Sequence, residues 1–107
     1  MTAWLLLLVR DGATYGYELR RALDEHRLDV DPATVYRVLR RLENDGRVES
    51  RWMRPVAGPR RRFYRLTGRG RRTLEEMTGL ITTARDAHDD FLRAHEQDVA
   101  GTADRTD

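Results

Sequence analysis

The chain has 107 residues, no cysteine and a formal net charge of +2. That length gives room for one hydrophobic core, and the lack of cysteine excludes disulfide and thiolate–metal chemistry and fits the cytoplasm. The longest apolar run, Trp4 to Val9, is far shorter than the roughly 20 residues of a bilayer span, so no membrane partner is expected. The charges are unevenly placed: residues 1–36 sum to −2, residues 37–72 to +10 and residues 73–107 to −6, and every Lys/Arg position is arginine. A positive field concentrated in the middle of a folded chain suits a polyanion, because each neutralised phosphate releases condensed counterions.

Ala3 to Arg10 is rich in leucine rather than β-branched residues, which predicts a short buried helix ended by Asp11-Gly12. Leu19, Ala22 and Leu23 recur at helical spacing within a second helix from Gly16 to His26. Asp31 is a natural N-cap and Pro32 suits a first helical position, so a third helix starts there and runs to about Asp45, with Gly46 as its stop. From Arg47 the period changes to two, with Val48, Ser50 and Trp52 on one side and Glu49, Arg51 and Met53 on the other. Arg54 to Arg61 holds Pro55, Gly58 and Pro59 and reads as a loop, after which Arg62 to Leu66 resumes the alternation. Thr67 is the expected N-cap of a last helix reaching about His95, and the polar residues beyond it are expected to fray. The predicted fold is mostly α with a small β-hairpin. It comprises a winged helix-turn-helix over residues 1–67, a long C-terminal dimerisation helix over 68–96 and a disordered tail over 97–107.

On a helical wheel, Val35, Val38, Leu39 and Leu42 form one stripe of the third helix, and Ala33, Arg37, Arg40 and Asn44 lie opposite. In a helix-turn-helix the second helix enters the major groove, which makes Thr34, Arg37 and Arg40 base-facing candidates. Arginine is the commonest reader of guanine, the adjacent Arg41 joins the DNA-contacting set, and Tyr36 is placed to give its hydroxyl to a phosphate. Arg54, Arg60, Arg61 and Arg62 cluster around the hairpin loop. A basic loop beside a recognition helix is a wing, and Arg60, Arg61 and Arg62 are expected on phosphates or in a narrow minor groove. Charged helix faces are common, and the competing reading is a winged helix that binds protein instead of DNA. The coincidence of the +10 segment with both reading elements argues for double-stranded DNA.

Three motifs, in order, resemble the PadR-like transcriptional regulators. They are Tyr15-Gly16-Tyr17-Glu18-Leu19, the run from Tyr36 to Val48, and Gly58 to Thr67 followed by Gly70. One segment departs from the family pattern: Ala33-Thr34-Val35-Tyr36-Arg37 stands where the family usually has Gly-Thr-Leu-Tyr-Pro, which bears on the operator read rather than on DNA binding itself. The resemblance implies a winged helix, a homodimer joined through the C-terminal helix, and repression at a pseudo-palindromic operator relieved by a small aromatic effector. Trp4 and Phe91 are the aromatic residues expected to line an effector cleft.

The last helix supports dimerisation independently. Leu74, Met77, Ile81, Ala84, His88, Phe91 and His95 follow alternating spacings of three and four, a heptad seam, on a helix of roughly 42 Å at 1.5 Å per residue. His88 and His95 lie two turns apart and lack the compact pairing of a metal site. No nucleophile–base constellation, P-loop or dinucleotide fingerprint is present, so neither an enzyme nor a cofactor is expected.

Overall fold

Three helices and a hairpin share the apolar core of the first of two compact units, Met1–Glu76 and Met77–Asp107. The computed structural model describes residues 1–12, 15–54 and 58–105, with side chains to residue 97. Pro55, read above as a loop marker, and the end of the expected tail, Thr106 and Asp107, lie outside the described residues. α1 (Thr2–Arg10) buries Leu5, Leu6 and Val9, α2 (Gly16–Glu25) buries Leu19 and Leu23, and α3 (Pro32–Asn44) buries Val35, Leu39 and Leu42. These are the i, i+4 and i, i+3 spacings that stack side chains on one face of a helix. Val38, on the same predicted stripe, is half-buried.

The ends of α3 follow from local chemistry. Asp31 caps its first turn by accepting the Ala33 amide at 3.0 Å, and Pro32 stands where no amide is needed. At the far end Arg47 N donates to Leu42 O at 2.8 Å and Gly46 N to Glu43 O at 3.0 Å, the paired bonds of a Schellman stop, with Gly46 at φ +73°. The same two-bond pattern ends α2, where Leu28 N donates to Leu23 O and Arg27 N to Asp24 O, both at 2.9 Å. There the left-handed position is held by Arg27, at φ 60°, and not by glycine.

The hairpin is antiparallel, β1 (Val48–Met53) against β2 (Arg61–Leu66). Its register pairs Val48 with Leu66, Ser50 with Tyr64 and Trp52 with Arg62. Directly opposed residues share a face, so this face passes from buried Val48 and Leu66 at the base to exposed Trp52 and Arg62 towards the tip. Tyr15 adds an isolated antiparallel bridge to Phe63, tying the start of α2 to the second strand.

At the base of the hairpin the chain turns into α4 (Gly68–Arg105) through a close junction. Thr67 caps α4 by accepting the Gly70 amide at 3.0 Å, while its hydroxyl donates to Gly46 O at 2.7 Å. Thr67 N donates to Arg47 O at 3.2 Å, and Arg47 Nε donates to Thr73 Oγ1 at 2.9 Å. Gly70 sits so close to this turn that a Cβ on it would lie 2.0 Å from Arg47 O and 2.7 Å from a Leu66 methyl.

Two sequence expectations change here. The first compact unit extends to Glu76 instead of closing at residue 67, because the start of α4 is part of it: Gly70 is packed on Arg47, and Leu74 is 6% exposed within the apolar core. The last helix does not end near residue 96 in a frayed tail but runs to Arg105. Once a helix is nucleated, each added residue contributes one further backbone bond, and residues 97–105 contain no proline to interrupt it.

Substituting Gly70→Ala forces the Arg47 turn and α4 apart. The expected loss is about 3 kcal/mol, the upper part of the overpacking range. It is checked by a lowered urea midpoint with an unchanged m-value.

Candidate nucleic-acid interface

The face of α3 opposite its buried stripe carries Arg37 and Arg40, with Arg41 on its flank, all exposed. Among the described residues none of the three forms an ion pair. Thr34, also expected to face bases, is half-buried and donates its hydroxyl to Asp31 Oδ2 at 2.7 Å, so it forms part of the cap. That bond, followed by the Ala33 amide, holds the Asp31 carboxyl below the usual carboxylate range.

Tyr36 is exposed, with its ring laid against the first residue of α2. A Cβ on Gly16 would stand 2.6 Å from the Tyr36 ring and 2.9 Å from its hydroxyl oxygen, so a larger residue there would displace the phenol. Tyr36, Tyr15, Tyr17, Tyr64 and Trp52 border one open cleft of about 1050 Å³ between α2, α3 and the hairpin, so all four tyrosines of the chain meet there. Burial pushes the Tyr64 phenol up, which keeps it protonated.

The wing arginines are arranged over these rings. The Arg61 guanidinium lies 4.5 Å from the Tyr17 ring centre, and those of Arg62 and Arg60 lie 5.4 Å and 5.9 Å from that of Trp52. Each such contact contributes about 0.5–1 kcal/mol at exposed sites and orients a side chain that has many rotamers. Arg62 is held further: its Nε donates to Ser50 Oγ at 2.8 Å, Ser50 Oγ donates to Glu43 Oε1 at 2.5 Å, and Arg62 lies 3.4 Å from the same Glu43 oxygen. Tyr17, Trp52, Ser50 and Glu43 are the residues of this surface that sequence reasoning missed. The alternation of the strand singled out Trp52 and Ser50 as neighbours on one face but not their partners.

The structure divides the residues assigned to the dimer seam. Leu74 is buried in the first unit's own core, and Met77 is half-buried. Ile81, Ala84, His88 and Phe91 are exposed on α4, Ile81 by 58% and Phe91 by 67%, and Leu80 and Leu92 are exposed as well. Of the expected effector residues, Trp4 on α1 is half-buried with its ring 4.2 Å from that of His26, and Phe91 stacks at 6.4 Å on His95. Among the described residues no cluster of three or more His, Asp or Glu is arranged to hold a metal ion. Among the described residues no helix is long and apolar enough to cross a membrane.

The model of the transcriptional regulator PadR-like family matches residues 5–76, which include both reading elements and the junction. The chain belongs to this family. PadR-like regulators are DNA-binding proteins and not enzymes. The chain is 42% identical over 66 residues to the transcriptional regulator Rv3488 of Mycobacterium tuberculosis, a match covering 62% of this chain and 61% of that protein. Among solved structures it resembles a PadR-like transcriptional regulator of Bacillus cereus, with TM-score 0.77, 25% identity and coverage of 85% and 89% of the two chains. A PadR family transcriptional regulator of Eggerthella lenta is similar with TM-score 0.69, 29% identity and coverage of 82% and 80%.

The Asp31 cap gives a pH signature. Its carboxyl titrates lower in the folded than in the unfolded chain, so its ionic contribution is complete above the unfolded value and is lost as pH falls through the folded one. The stability difference between the native chain and Asp31→Ala is therefore expected to be constant above about pH 5 and to narrow below about pH 4. Urea midpoints measured across that range check it.

Proposed function

We propose that this PadR-like chain is a repressor that binds a pseudo-palindromic operator as a homodimer in the cytoplasm. The observation that carries the reading is the row Arg37, Arg40 and Arg41: exposed, without ion pairs among the described residues, on the outward face of α3 and within the +10 segment. In this role α3 lies in the major groove with Arg37 and Arg40 towards base edges and Arg41 and Tyr36 towards the backbone. Arg60 and Arg61, presented by the wing, meet phosphates. The exposed apolar residues Leu80, Ile81, Phe91 and Leu92 of α4 are the surface proposed to meet a second copy. Release by a small aromatic effector completes the reading, and such a ligand must distinguish two dimer geometries, because equal affinity for both moves no equilibrium.

Fragments of the source genome selected by binding supply the operator, and titration at several salt concentrations tests the contacts. Arg37→Ala is expected to weaken the selected site by about 1–3 kcal/mol and to relax preference at one base position. Arg60→Ala is expected to weaken all sequences alike and to flatten the logarithmic salt slope by about 0.9. A salt-independent affinity of the unaltered chain would favour a protein-binding winged helix instead. For the dimer, Ile81→Asp is expected to convert the assembly to a monomer in sedimentation at micromolar concentration, since a buried unpaired carboxylate costs several kcal/mol.

A further inference from the structure

Among the described residues, Glu43 is the only carboxylate bordering the cleft, where it stands among Arg40, Arg61 and Arg62. A fixed negative charge on a surface that receives phosphates opposes binding by ordinary electrostatics, so its place there calls for a compensating role. The hydrogen bonds supply one. Glu43 projects from the last turn of α3, Ser50 from β1 and Arg62 from β2, so one connected set of three side chains links the recognition helix to both strands of the wing. Ser50 bonds both partners, and in the third contact an Arg62 guanidinium nitrogen lies 3.4 Å from the Glu43 carboxylate of the helix. It also lies 5.4 Å from the Trp52 ring centre, a further contact that restricts its rotamers.

We propose that Glu43 is a specificity-determining positioning residue: it holds Arg62 through Ser50, fixing the wing against α3 and withholding that guanidinium from the DNA backbone. The proposal rests on the DNA-binding reading above and changes one part of the sequence expectation, in which Arg62 was a phosphate contact. Phosphate contacts carry no sequence information, so withholding one lowers affinity for random DNA while leaving the base-reading arginines of α3 unaffected. Of the three consecutive arginines in the wing, Arg60 and Arg61 then face DNA and Arg62 is a strut.

The test uses the full chain, a random-sequence duplex and binding titrations between about 50 and 200 mM salt, with circular dichroism and thermal melting to establish that each variant is folded. Glu43→Gln keeps an oxygen that can accept from Ser50 but removes the charge holding Arg62. It is expected to bind random DNA more tightly at low salt and to steepen the salt slope by about 0.9, an extra loss of about threefold across that range. In Arg62→Ala alone the slope is expected to equal that of the unaltered chain. In Glu43→Gln/Arg62→Ala the extra slope is expected to vanish, which assigns it to Arg62 and not to the general loss of a negative charge. The proposal is overturned if Arg62→Ala alone flattens the slope by about one phosphate, if Glu43→Gln leaves it unchanged, or if the steepening persists in the double variant. If the unaltered chain shows no salt-dependent binding to the duplex, the DNA reading itself fails and the lock falls with it; a normal slope with a flattened Arg62→Ala removes the lock alone.

Discussion

The main-chain oxygen of Arg47 is the point on which the winged unit is assembled. It accepts the Thr67 amide, which closes the hairpin at its base, and it occupies the space that any side chain at residue 70 would need. The same turn ends α3 through the Gly46 and Arg47 amides, and the Thr67 hydroxyl joins Gly46 O to the cap of α4. Recognition helix, wing and last helix therefore share a few atoms. The junction gives the end of α3 and the base of the wing a fixed mutual geometry without a large core.

That economy suits a small unit. Its buried side chains are mostly leucine and valine from α1, α2, α3 and the hairpin base, with Leu74 added by α4. Further out the strands leave the core, and their position depends on side-chain contacts over the cleft. Each is weak: exposed ion pairs contribute about 0–1 kcal/mol, and cation–π contacts at such sites about as much. Together they act from several directions. Tyr15 bridges to Phe63, Arg61 covers Tyr17, and Glu43 reaches Arg62 through Ser50, so the wing is tied to α2 and α3 at separate points. The bonds to Glu43 join the wing to the residue next to the last position of α3.

Much of this fold was legible because its boundaries are local. Asp31-Pro32 and Gly46 are signals acting through the nearest amides, and they bound α3 in the structure as in the sequence. The alternation from Val48 onwards marked the first strand for the same reason. What escaped depends on which residues meet at long range. Trp52 faces Arg62 only because the hairpin register pairs them, and register cannot be counted across the loop from composition. Leu74 fitted a heptad seam as well as a core, since spacing identifies an apolar face but not what covers it. The tail was read from its polarity, whereas helix continuation depends on propagation along the backbone.

The closure of the hairpin at its base has a consequence for how such proteins diverge. With Val48 opposite Leu66 and Arg47 locked to Thr67, residues added or removed between the strand tips leave the junction and α3 undisturbed. Loop length is thermodynamically lenient, each doubling costing only about 0.6 kcal/mol in closure entropy. The reach of the wing is thus a length that insertions and deletions can alter independently of α3, so related chains can change how far the hairpin projects while keeping the same helical frame.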